Sequence, residues 1–307
     1  MKPTSFNTPV LFLLFNRPDT TEQVFEKIRA IRPRRLFVSA DGPRPSKAGE
    51  REQCERVRNV IKKVDWRCDL KTNFSETNLG CRVGVSSGLH WFFSQVSEGI
   101  ILEDDCVPDL SFFHFCEELL EYYRDDERIM HIAGANFQDG RLRGNGSYYF
   151  SRINHIWGWA TWKRAWNKYE VTVATYPDLL QQRLMASVYP DVATRNYWEK
   201  NIDLVYRNRK DTWDIQWQYA VSVNNGLAII PNVNLVSNIG FDTNATHTID
   251  ASHSLSNRTA SPVGTMRHPT FVVPDLQADA YTMKMYLHPS KSKKLWQLVR
   301  KTLSSGR

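Results

Sequence analysis

Cysteine is scarce and odd in number: Cys54, Cys68, Cys81, Cys106 and Cys116 are the only five, and no two stand as C-x-x-C. That excludes a disulfide framework and a zinc knuckle, and reduced thiols of a cytoplasmic protein are the simple reading. Neither G-x-G-x-x-G nor the P-loop pattern occurs, so no glycine-rich loop is expected to cradle a phosphate. The stretch MKPTSFNTPVLFLLFNRPDTT has one apolar run, Val10–Phe15, too short for a signal core or a membrane span. Secretion is therefore not expected, and the four N-x-S/T matches at Asn73, Asn145, Asn244 and Asn257 read as chance. Internal repeats and low-complexity segments are absent. Acids are missing from the C-terminus: from Ala280 onward seven Lys and Arg stand with no Asp or Glu. That stretch holds the whole net charge of +7, so the first 279 residues balance and support no nucleic-acid-binding body.

What remains is an ordinary globular composition, 41% hydrophobic and 24% charged. Aromatics are 12%, with 10 Trp, enough for a core or for the walls of a pocket. Strand and helix signals alternate through the first half. Val10–Phe15 reads as a strand buried on both faces. Val24, Phe25, Ile28 and Ile31 form a helical stripe behind Asp19 and Glu22, which have capping-box spacing. RLFVSADGP is a second strand that breaks at Asp41-Gly42-Pro43. A charged helix follows over about 50–63, with Cys54, Val57, Ile61 and Val64 on one face. WRCDLKTNFS suggests a third strand, Val85, Leu89, Phe92, Phe93 and Val96 a helix, and GIIL a fourth strand. DLSFFHFCEELLEYY is an apolar helix that Asp109 can cap, and RIMHIAGANF another strand. The alternation predicts an α/β fold, a mostly parallel central sheet with helices on both faces. From about Gly140 the periodicity weakens.

In such sheets ligands bind beyond the carboxyl ends of the strands. Three predicted strands end in polar groups: Asn16-Arg17, Asp41, and the triplet Glu103-Asp104-Asp105. Adjacent like charges repel and their burial is costly, so the triplet needs a counter-charge. No basic residue neighbours it in sequence. An acid cluster at a helix start explains Asp109, but the triplet precedes that helix by several residues. Mg²⁺ or Mn²⁺, which take one or two carboxylates together with substrate phosphates, would relieve the repulsion.

At these residues the sequence resembles the GT-A-fold glycosyltransferases. The EDD after an apolar strand, followed by Pro-Asp and an aromatic helix, matches their DxD-type motif. The likeness is closer to N-acetylglucosaminyltransferase I and to bacterial sugar transferases of surface-polysaccharide clusters, and runs from about Pro9 to Thr248. It implies one GT-A (Rossmann-like) domain, with a nucleotide-sugar half over 1–135 and an acceptor-binding and catalytic half over 136–250, before an extension over 251–307. It implies that Asn16, Arg17 and Asp41 contact the nucleotide base. It sets Glu103 and Asp104 at the sugar and ribose, and Asp105 on Mn²⁺ or Mg²⁺. DTWDIQW resembles the segment carrying the catalytic base, which makes Asp214 that base, with Ile215-Gln216 where the family has paired acids. NIGFDTNATHT resembles a loop that closes over the donor diphosphate, with His247 near phosphate or metal. The donor implied is a nucleotide-diphosphate sugar, UDP favoured, and the acceptor a glycan or lipid-linked hydroxyl in bacterial surface polysaccharide synthesis. The chemistry is consistent: inversion needs one carboxylate to deprotonate the acceptor while a metal steadies the departing diphosphate.

HIWGWATWKRAW brings Trp157, Trp159, Trp162 and Trp166 together. Core packing is one reading, with Trp162 and Trp166 at helical spacing. The other is the wall of a sugar pocket, for which Gly158-Trp159 is the best pair. Asp211, across Trp213 from Asp214, is the alternative base, and Arg82 pairs either with a phosphate or with surface acids. In the tail, Leu295, Trp296, Leu298, Val299 and Leu303 lie opposite Lys293, Lys294, Arg300 and Lys301 on a helical wheel. That helix either docks on the protein's own core or lies on an anionic membrane, at the inner face of the cell membrane. Three other classes stay open: a nucleotidyltransferase, although LLFNRPDTT is not its glycine-rich basic loop; a two-carboxylate glycoside hydrolase; and a binding protein without chemistry.

Overall fold

A computed structural model describes residues 6–240 and 258–287. His247 with its loop, and the tail helix over 291–303, lie outside the described residues.

The first half folds largely as its periodicity predicts. β1 (Val10–Leu14) is buried at every position, as a continuous apolar run requires. α1 (Pro18–Ile31) turns Thr21, Val24, Phe25 and Ile28 inward. Its start differs from the capping box expected: Pro18 opens the helix, Asp19 lies inside the first turn, and no side chain caps it. Proline at that position has no N–H to satisfy and already holds a helical φ. β2 (Arg35–Ala40), α2 (Glu50–Arg58), β3 (Asp69–Phe74) and α3 (Gly80–Phe93) follow, α2 running on as a 3₁₀ turn to Lys63. β4 (Glu98–Glu103) ends on the first acid of the triplet, and β5 (Cys106–Pro108) is short. Asp109 caps α4 (Leu110–Tyr122), accepting from Ser111 N at 2.8 Å.

β6 (Ile129–Ala133) falls on the expected RIMHIAGANF strand, and the weakly periodic half holds β7 (Tyr148–Ser151), β8 (Trp159–Trp162) and α5 (Lys163–Trp166). It continues with α6 (Tyr176–Gln181), α7 (Met185–Val188), α8 (Val192–Tyr206) and α9 (Asp214–Val223). β9 (Leu227–Pro231), β10 (Val236–Asn238) and α10 (Leu276–Thr282) complete it. The tryptophan segment is not one helix: Trp159 and Trp162 lie on β8, and only Trp166 is on α5.

Eight strands form one sheet in the order β3-β2-β1-β4-β8-β6-β9-β7. All but β8 and β7 run the same way, so the sheet is mostly parallel and the fold is α/β. Successive residues of β1 feed opposite faces. Val10, Phe12 and Leu14 pack with α1 and α4, whereas Leu11 and Leu13 pack with Phe92 of α3 and Trp217 of α9. Helices therefore cover both faces. Residues 258–287, expected as an extension, first bond beside β10 and the start of α4, where Ala260 N donates to Ser237 Oγ and Val263 N to Ser111 Oγ at 3.0 Å each. They then reach the sheet's far edge, where Asp275 N donates to Phe150 O at 2.8 Å and Met283 is buried beside α8. β10 pairs antiparallel with β5 and carries the chain from Asn238, opposite Cys106, to Gly240 beside the triplet. Among the described residues no helix is long and apolar enough to cross a membrane.

Candidate active site

Because β1 and β4 are parallel neighbours, with Leu13 opposite Glu103, the chains leaving them emerge side by side. Arg17 turns across that gap. Its guanidinium donates to the Asp104 carboxylate and stands 3.0 Å from Asp105 Oδ2. The counter-charge that the neighbouring sequence lacks thus comes from a residue 87 positions from Asp104. Phe15 N adds a bond to Asp104 Oδ2 at 3.2 Å. Burial raises the Asp104 pKa, and Arg17 opposes it. Glu103 is pushed well above the usual carboxylate range by burial and then by Asp105 and Asp104. Three acids coexist here because one is held toward its neutral form and two share an arginine.

Asn16 Nδ2 donates to Glu50 Oε1 at 2.9 Å. Glu50 is buried at the start of α2 and also accepts from Arg44 N at 2.6 Å and from the Arg44 guanidinium. The Asn16-Arg17 turn is thereby fastened to the loop after β2.

Asp41, at the end of β2, spends its carboxylate on its own surroundings. It accepts from Gly42 N and Leu79 N at 2.8 Å each, from Asn78 Nδ2 at 2.9 Å and from Gly80 N at 3.2 Å. Burial raises its pKa, and these backbone bonds oppose that. Asp211 approaches the same helix start, accepting from Cys81 N at 3.0 Å and Arg82 N at 3.1 Å. Two carboxylates thus satisfy N–H groups that the first turn of α3 cannot pair, at the end where the helix dipole favours negative charge. Gly80 has φ 79°, and a Cβ there would lie 2.8 Å from Asp211 Oδ2. Asp211 thus acts as a cap for α3.

α9 begins at the same edge, with Asp214 as its first residue and the Thr212 hydroxyl donating to Asp214 Oδ1. The Cys81 thiol is driven up by burial and then by the charges of Glu103, Asp214, Asp211 and Asp41. The ends of β2, β4, α3 and α9 therefore meet around one partly buried thiol. Tyr169 stacks on Trp166, ring centroids 4.3 Å apart, and its hydroxyl is raised by burial and by Asp214.

One expectation fails on geometry. Trp159 is 0% exposed, stacked between Trp213 at 5.5 Å and His131 at 5.1 Å, so it is core and not a pocket wall. Gly158 does permit a close approach, but of protein: at φ 58°, a Cβ would lie 2.8 Å from Val236 Cγ2. The Arg82 guanidinium donates to Asn208 Oδ1. Sequence reasoning missed Glu50 and Cys81. Glu50 sits in SKAGERE, which looks like a solvated helix start, and a lone cysteine carries no spacing signal.

Asp105 offers a hard oxygen of the kind Mn²⁺ and Mg²⁺ prefer. Among the described residues no three His, Cys, Asp or Glu side chains converge as a ligand set. The residues fit an ion held by Asp105 as its one described protein ligand and completed by phosphate and water, as Mg²⁺ commonly is. That fit requires Arg17 to yield Oδ2. Gly240 lies over the pair: a Cβ there would be 2.1 Å from Asp105 Oδ2 and 2.6 Å from Arg17 Nη1.

The fold and this edge define an α/β protein with a carboxylate-lined site at the carboxyl ends of its strands. No protein-family model matches the sequence, and no curated protein sequence matches it. Among solved structures the chain is similar to HddC from Yersinia pseudotuberculosis, at 11% identity over 57% of this chain and 85% of that one, TM-score 0.34. It is similar to mouse xyloside xylosyltransferase 1, at 9% identity over 70% and 80% of the two chains, TM-score 0.35. A UDP-glucose pyrophosphorylase complexed with UDP-glucose is similar at 8% identity over 53% and 78%, TM-score 0.32.

Proposed function

We propose that the chain is a metal-dependent, inverting glycosyltransferase of the GT-A type, taking its sugar from a nucleotide diphosphate. The observation that carries this reading is the meeting of Glu103, at the end of β4, and Asp214, at the start of α9, at one edge, both acting on Cys81. On it, Glu103, Asp104 and Asp105 serve the donor, with Asn16, Arg17 and Asp41 toward the nucleotide. Asp214 faces the acceptor. It takes the proton of an acceptor hydroxyl as that oxygen bonds to the sugar's anomeric carbon and the bond to diphosphate breaks from the opposite side. Thr212, donating to Asp214 Oδ1, aims the carboxylate. Glu103, held toward its neutral form, can donate a hydrogen bond to a sugar hydroxyl. Mn²⁺ or Mg²⁺ on Asp105 would supply Lewis-acid stabilisation of the leaving diphosphate. The resemblance favours UDP as nucleotide and a glycan or lipid-linked acceptor.

The test is thermal unfolding with UDP, GDP, CMP and dTDP sugars, each with Mn²⁺ and with EDTA. A donor at a hundredfold over its Kd stabilises the fold by about 2.7 kcal/mol. The expected shift appears with one nucleotide class, needs the metal, and is lost in Asp105→Ala. No shift with any sugar nucleotide would remove the donor, and a shift indifferent to EDTA would remove the metal. A shift with a nucleoside triphosphate alone would favour a nucleotidyltransferase.

A further inference from the structure

Away from the acids, the far edge of the sheet carries apolar side chains that the fold does not use. The segment leading into α10 passes beside β7, with Pro274 bridging Phe150 and Leu276 opening the helix. Val272 packs on the core, while Phe271 is 75% exposed, Val273 65% and Leu276 58%. Leu142, 76% exposed, stands on the loop before β7. That loop is stitched to the same segment: Asn145 Nδ2 donates to Thr270 Oγ1 at 3.0 Å, and Ser147 N to Arg267 O at 2.8 Å. Scattered exposed apolar residues need no explanation, but four of the most exposed gathered on two joined segments do.

The charges around them lean positive. Arg141 and Arg143 flank Leu142 and bond only neutral groups, Tyr281 Oη at 2.7 Å and Gln138 Oε1 at 2.8 Å. Among the described residues neither forms an ion pair, nor does the exposed Arg267. Of the nearby acids, Asp139 pairs with Arg258 and Glu118 stands 3.5 Å from His268, while Asp275 caps α10 and keeps its charge.

We propose that Leu142, Phe271, Val273 and Leu276, with Arg141 and Arg143 beside them, dock the protein on an anionic lipid bilayer. Protruding apolar tips can enter the headgroup region while arginines stay at phosphate level, where each cation adds about 1 kcal/mol. A protein adding a strand fits less well, because β7 is already covered: Asp275 N occupies Phe150 O at 2.8 Å. The inference does not depend on the transferase reading, which the nucleotide experiment tests separately.

The experiment is co-sedimentation of the full chain with phosphatidylglycerol-containing vesicles and with phosphatidylcholine vesicles, at low and high salt. Wild type should pellet only with the anionic vesicles and only at low salt. Phe271→Asp with Val273→Asp, both at exposed positions, should keep the melting temperature and weaken binding by roughly tenfold or more, given the worth of one buried large apolar side chain. Arg141→Gln with Arg143→Gln should weaken it too and flatten the salt dependence. Wild type left in the supernatant, or the apolar double variant binding as well as wild type, would overturn the proposal. A dimer without lipid that the same variant dissolves would replace the bilayer with a second copy of the chain.

Discussion

Arg17 Nη1 lies 3.0 Å from Asp105 Oδ2, and the same guanidinium holds the buried carboxylate of Asp104. One cation brought from the first strand's end makes two adjacent acids tolerable. Its removal leaves Asp104 buried and unpaired, so Arg17→Ala should lower stability by about 3–5 kcal/mol. Urea unfolding measures this. In the same variant Mn²⁺ should raise the melting temperature more than in wild type, because Asp105 Oδ2 has lost its competitor. An equally stable variant would mean that the acids are neutralised without Arg17.

Asp214→Asn keeps the size of the side chain and its place at the start of α9. It should lower turnover by about 10²–10⁴-fold, the usual worth of a general base. The thermal shift with sugar nucleotide should stay as in wild type. Undiminished transfer would move the base elsewhere.

Asp211→Ala separates capping from catalysis. Its bonds to Cys81 N and Arg82 N are lost, so stability should fall by about 1 kcal/mol. Turnover at saturating substrate should change little. A large fall in turnover with no change in stability would make Asp211 the better base.

Asp279 accepts from Ser151 Oγ at 2.5 Å and from Arg152 N at 3.1 Å, and burial lifts its pKa from 3.8 to about 6. The fold therefore favours its protonated form. That contribution is whole below about pH 4 and is lost as pH rises through about 6. Two units at 1.36 kcal/mol each make the loss about 3 kcal/mol. Asp279→Asn is neutral throughout, so it should gain on wild type by that order between pH 4 and 7 in paired urea titrations. A constant difference across that range would mean that Asp279 is ionised freely in the fold.

The first half is legible in the sequence because its strands are unbroken apolar runs that stop on polar residues. Val10–Phe15, RLFVSA and GIIL announce both the strands and the edge where Arg17, Asp41 and Glu103 gather. The second half resists reading for a physical reason. β8 is only four residues long and buries Thr161 between Ala160 and Trp162, so it shows neither a long apolar run nor a polar–apolar alternation. Trp159 looked like a ligand wall because an aromatic beside a glycine reads alike in a core and in a pocket; only its stacking on Trp213 decides. The roles of Asp41 and Asp211 at α3 come from pairings 39 and 130 residues apart, which no local pattern encodes.

β8 also bears on how the molecule can move. It is four residues long, yet it is hydrogen-bonded to β4 on one side and β6 on the other. The strands that lead into Arg17 and the acidic triplet are thereby welded to those of the second half in one continuous ladder. Swinging the halves about a hinge would mean breaking that ladder at Trp159–Trp162, in the most aromatic part of the interior. Accommodation of a substrate must then come from the segments along the edge, with the eight strands serving as a stiff anvil.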